Sequence, residues 1–91
     1  MPTDGSSNAM FARFTLRMAR VVSRLAKHHT QAEIGKLLKL SPRIVAGDIL
    51  AAETITGCAT NGELARWWQD EGPGLMRFWM DDLGIDPRDV L

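Results

Sequence analysis

The 91-residue chain contains no tyrosine and one cysteine. No apolar run in it approaches the ~20 residues that a membrane-spanning helix needs, because Arg or Lys interrupts the longest candidate every three or four positions. A single Cys58 rules out an internal disulfide, and neither His28 nor His29 stands from it at a zinc-ligand spacing. Valine and isoleucine are few and nowhere alternate with polar residues for long, which argues against a sheet. Met1 to Ser7 lacks the charged-then-apolar order of a signal peptide and reads as a flexible polar tail. These absences leave the expectation of an all-α, soluble, cytoplasmic protein, with no cofactor, no metal and no membrane. A chain this short buries its apolar surface inefficiently, so a single domain that pairs as a homodimer is expected.

Acidic residues are also missing, but only from one part of the chain. Between Asp4 and Glu33 there is none, although the formal net charge is zero. Residues 1–43 carry eight cations against two carboxylates, a formal +6, and residues 44–91 carry three cations against nine carboxylates, a formal −6. The basic half and the acidic half are therefore expected to do different things.

From Asn8 to His29, Phe11, Phe14, Met18, Val21, Val22 and Leu25 recur at spacings of three and four, the pattern of one face of a long amphipathic helix. At about 100° per residue, Arg13, Arg17, Arg20, Arg24 and Lys27 gather into a separate stripe with no acidic partner on the same helix. Thr30-Gln31-Ala32-Glu33 has the form of a capping box and opens a second helix, with Ile34, Leu37 and Leu38 expected inside. Ser41-Pro42 supplies an N-cap and a first-turn proline for a third helix, running to about Glu53, with Val45, Ile49 and Ala52 as its core positions. Gly57 closes that region, and Thr60-Asn61-Gly62-Glu63 repeats the capping-box form before Leu64, Trp67 and Trp68. Gly72-Pro73-Gly74 is expected to break this fourth helix, a fifth then carrying Leu75, Met76, Phe78, Trp79, Met80 and Leu83, and Asp86-Pro87 capping a last turn. The organisation expected is a tail at 1–7, a basic helix plus helix-turn-helix at 8–56, and an acidic, tryptophan-rich helical part at 57–91.

Two short helices joined by about three residues are the parts of a helix-turn-helix. The stretch Gln31 to Ile49, QAEIGKLLKLSPRIVAGDI, resembles the helix-turn-helix of LuxR-type regulators and of sigma-factor region 4. Gly35 falls on that pattern's small residue, Ile34, Leu38, Leu40, Val45 and Ile49 on its apolar positions, and Ser41 on its cap. The resemblance implies a bacterial or phage-like transcriptional regulator that binds double-stranded DNA. It implies that the third helix lies in the major groove with Ser41, Arg43, Ile44 and Gly47 towards the bases, and Arg43 is the residue suited to guanine. Asp48 and Glu53 on the same helix would repel phosphates, whereas Arg17, Arg20, Arg24 and Lys27 on the first helix suit phosphate contact.

A protein-interaction module that reuses the fold is the alternative, with the acidic, aromatic half binding a protein partner. Trp67, Trp68, Phe78 and Trp79 form either that partner or dimer surface, or the completion of one five-helix core. The cationic stripe, likewise, either meets phosphate or pairs with the chain's own carboxylates. Asp70-Glu71 and Asp81-Asp82 read as a solvated face rather than a catalytic pair, since neighbours on a helix point apart and no nucleophile accompanies them; no enzyme is expected. His28 and His29 suit the C-terminus of the first helix, where a cation is favoured by the helix dipole.

Overall fold

A computed structural model of the chain describes residues 10–84. The expected tail at 1–7 and the turn at Asp86-Pro87 lie outside the described residues. The architecture is all-α, and from Leu16 onwards the described residues form five helices: α1 (Leu16–Ala26), α2 (Gln31–Leu38), α3 (Pro42–Thr56), α4 (Asn61–Phe78) and a closing π-helical turn, α5 (Trp79–Leu83). No strand occurs among the described residues.

α1 is the hub, touching α2, α3 and α4. Its Met18, Ala19, Val21 and Val22 are buried against Ile34 of α2, Val45, Ile49 and Ala52 of α3, and Leu64, Trp68 and Leu75 of α4. Burial of each large side chain contributes roughly 1.5–3 kcal/mol. Leu37, expected inside, is exposed instead, because the short α2 turns only Ile34 and Gly35 fully to the core.

The first helix is not continuous from residue 8 to 29. Residues 10–12 are helical, the chain turns at Arg13, and Arg13 and Phe14 donate backbone bonds to Met10 and Phe11. Thr15 then restarts the helix as an N-cap, its hydroxyl accepting from the Met18 amide at 3.1 Å. Phe11 and Phe14 still reach the core, so the apolar spacing survives the break.

The expected break at Gly72-Pro73-Gly74 is absent; α4 runs through it. A proline there removes one donor, yet the helix is held on both sides of it by Trp68 and Leu75, which are buried. The glycines are needed for packing: a Cβ at Gly72 would lie 3.2 Å from the Trp68 indole, and one at Gly74 would lie 3.4 Å from Phe11. Tertiary packing here overrides the local preference for a turn.

Gly35 and Gly47 make opposite uses of the same residue type. A Cβ on Gly35 would sit 2.9 Å from the Leu40 carbonyl oxygen, where α2 and its following turn meet, so this glycine sets how closely they pack. Above Gly47, in the middle of α3, nothing lies within 4 Å. Gly35→Ala should therefore destabilise the fold, while Gly47→Ala should stabilise it by about 1 kcal/mol through helix propensity alone. Urea denaturation followed by circular dichroism checks both, and a stabilising Gly35→Ala would contradict the packing.

Candidate nucleic-acid interface

The α2–α3 unit is set by its caps. Thr30 accepts from the Glu33 amide at 3.1 Å, and the Glu33 carboxylate accepts from the Thr30 amide at 2.8 Å, completing a capping box. That backbone bond, with Thr30's hydroxyl and the nearby His29 and Lys36, holds the Glu33 carboxyl below its ordinary value. α2 ends at Lys39 in a left-handed conformation (φ 57°), and the Leu40 amide donates back to Gly35 at 2.9 Å. Ser41 then caps α3, its Oγ accepting from the Ile44 amide at 3.2 Å, with Pro42 in the first turn. Three residues, Lys39 to Ser41, join the helices. The second capping-box sequence closes differently: Thr60 accepts from the Glu63 amide, but Glu63 reaches one residue further back, to the Ala59 amide at 2.7 Å.

At 100° per residue, Arg43, Ala46, Gly47, Leu50 and Thr54 form one outward stripe on α3, and all are exposed. Ser41 and Ile44 are exposed beside it, so the four α3 positions singled out for base contact all face solvent. Asp48 does not share that face. Its carboxylate accepts two bonds from the Arg17 guanidinium of α1, Nε to Oδ2 at 2.7 Å and Nη2 to Oδ1 at 2.9 Å. The Asp48 side chain is 8% exposed and that of Arg17 is 53% exposed. This hydrogen-bonded carboxylate and its charge raise the Arg17 pKa, against a small opposing effect of burial.

The pair changes the reading of two residues. Asp48 is no solvent-facing repeller of phosphate, and Arg17 is committed to a carboxylate of the chain's own second half. Sequence reasoning left pairing with the chain's own carboxylates open without naming the partners, which stand far apart in the chain, although a signal was present: Asp48 falls among Val45, Ile49 and Ala52 on the inward arc of α3, where a carboxylate needs a cation. Among the described residues no other ion pair lies within 4 Å. Arg20 and Lys27 are exposed, and Arg24 is half-buried with its Nε hidden and without a hydrogen-bond partner. Arg17 and Arg20 line a cavity of about 400 Å³ with Leu16, Leu38 and Leu40, which brings this end of the cationic stripe beside the α2–α3 turn.

Of the two readings of the aromatic residues of the acidic half, the packing accords with completion of the core, Trp67 and Phe78 being half-buried at its edge. Trp68 and Trp79 are buried in the chain's own core. Trp67 stacks on Phe14 with ring centres 5.2 Å apart and planes within 5°, and Phe78 packs on Phe11 at 5.9 Å. These rings complete one core because the helix carrying them passes through Pro73 and stays against α1. His28 and His29 follow α1, which ends at Ala26. Their backbone amides, bonded to Leu25 and Arg24 carbonyls, close the helix, with His28 left-handed at φ 70°. Cys58 is a half-buried free thiol in the α3–α4 loop. Among the described residues no group of three or more His, Cys, Asp or Glu is placed to hold a metal, and no helix is long and apolar enough to cross a membrane.

Comparison with protein-family models, with curated proteins and with solved structures gives no match to this chain.

The ion pair is asymmetric, and its mutants should be too. Arg17→Ala strands a buried carboxylate without its donors, whereas Asp48→Asn leaves a guanidinium that water reaches. Arg17→Ala is expected to lower the urea midpoint more than Asp48→Asn, and the double change Arg17→Ala/Asp48→Asn to recover part of the loss. A fully additive double mutant would contradict a coupled pair.

Proposed function

We propose that the chain is a DNA-binding helix-turn-helix module that acts as a transcriptional regulator, presenting the N-terminal half of α3 to the major groove. The observation that carries the reading is the removal of Asp48 from the outward stripe of α3. What remains on that stripe is Arg43 followed by small or neutral residues; Glu53, half-buried, lies at its edge in the C-terminal half of α3, beyond the turns proposed to meet the groove.

The parts divide as such a module requires. Arg43, in the first turn of α3, has the fork of donors that matches the two acceptor atoms of guanine, and Ser41 and Ile44 flank it. Gly47 has no internal packing role and leaves the middle of α3 open to close approach by a partner's surface. Arg20, on the same side of α1 as the α2–α3 turn, supplies a phosphate contact.

One observation favours a second reading. Leu50 is 64% exposed and Ile44 37% exposed, so the outward face of α3 also has the makings of a protein-docking patch. Fluorescence anisotropy with a mixed-sequence duplex across a salt series separates the two. DNA binding predicts micromolar or tighter affinity at low salt and a steep loss with added salt. Arg20→Ala should make the logarithmic salt slope shallower by about one unit, the loss of one phosphate contact, while Arg43→Ala should weaken binding chiefly through its contact with the bases. Absence of binding by the unaltered chain at low salt would overturn the DNA reading and leave the docking patch.

A further inference from the structure

α1 and α4 enclose a groove of about 440 Å³, lined by residues from neither α2 nor α3. Its size falls in the range of small-molecule sites. Ala26 of α1 faces Trp68, Pro73 and Met76 of α4 across it, so its walls are apolar. Gly72 lets the Trp68 wall lie close against α4, since a Cβ there would come within 3.2 Å of the indole.

Two polar groups on α1 are set differently from the walls. Ser23 lines the groove, is 1% exposed, and its Oγ has no hydrogen-bond partner. A serine buried within a helix ordinarily bonds back to a carbonyl of the preceding turn, and an unsatisfied buried hydroxyl is uncommon. Lys27 lies at the mouth, exposed, four residues further along. Residues four apart are neighbours on one helix face, so a single acceptor can lie between this hydroxyl and this ammonium.

We infer that the α1–α4 groove binds a small amphipathic carboxylate. Its apolar body, of about ten carbons, lies between Ala26 and the Trp68, Pro73 and Met76 wall, a volume matched to a drug-sized or smaller ligand. Its carboxylate accepts from the Lys27 ammonium and from the Ser23 hydroxyl, which gains the partner it lacks. An apolar pocket with a few convergent polar groups fixes such a ligand by burying the body and orienting the charged end. Lys27 then serves the groove, while the DNA reading rests on Arg20 and Arg43. The two proposals fail separately.

Decanoate is the probe, titrated into the full chain without DNA and followed by tryptophan fluorescence, with decanol and decylammonium as controls. Saturable binding with Kd below about 1 mM is expected for decanoate, as suits a ligand of a dozen heavy atoms. Lys27→Gln should weaken it about five- to tenfold, and decanol should bind the unaltered chain correspondingly less well. Ala26→Phe, which fills the groove, should abolish binding while keeping the helical circular dichroism and cooperative melting. Ser23→Ala, a smaller change at a buried site, should weaken binding with the fold retained. Equal binding of all three probes, or binding that survives Ala26→Phe, would overturn the site. Binding lost in Ala26→Phe but indifferent to Lys27→Gln and to the carboxylate would overturn the ligand class.

Discussion

The rotation of α3 about its own axis decides what the protein can present to a partner, and the Arg17–Asp48 pair holds that rotation. Val45, Ile49 and Ala52 turn one arc of α3 to the core, but apolar contacts are non-directional and tolerate some roll. Two parallel hydrogen bonds at 2.7 and 2.9 Å between a planar guanidinium and a carboxylate tolerate far less. With Asp48 fixed against α1, Arg43, Gly47 and Leu50 follow on the opposite side. The same pair neutralises the one carboxylate that α3 carries in its first two turns. It is therefore a structural device that determines the chemistry of the exposed face without lying on it.

Much of the fold was legible because it rests on local rules. Thr30 and Thr60 before glutamates, Ser41 before Pro42, and Gly57 after α3 each satisfy backbone groups within four residues in sequence, so their effects are visible in short windows. The close approach at Gly35 was also foreshadowed by the small-residue position of the helix-turn-helix pattern. What failed was decided at long range. Gly72-Pro73-Gly74 has every local mark of a turn, yet Trp68 and Phe11 pack closely against its two glycines. The tryptophans read equally well as a seam or a core until the path of α4 was known. In the candidate interface, Ser41, Arg43, Ile44 and Gly47 were suggested by the resemblance to helix-turn-helix regulators, while the fate of Arg17 depended on a partner in another helix.

α1 emerges as the element on which several roles converge. Its apolar face holds the other helices together, and Arg17 orients α3. Arg20 stands at the α2–α3 turn, while Ser23, Ala26 and Lys27 border the groove towards α4. One helix thus connects the proposed DNA face at its beginning with the proposed ligand groove at its end, over about seven residues or roughly 10 Å of rise. The division of charge along the chain takes on a physical meaning in this arrangement: at Arg17 the basic half meets a carboxylate of the acidic half, and its other cations are left for other uses.

The central claim is that the outward stripe of α3 and the neighbouring stretch of α1 form a nucleic-acid surface. Titrating a mixed-sequence duplex into the ¹⁵N-labelled chain at low salt and following backbone amide shifts tests it residue by residue. The account expects the largest changes at Ser41 to Leu50 and around Arg20, with the amides of Leu64 to Leu75 nearly still. Changes confined to α4, or none at a duplex concentration well above that of the protein, would contradict it.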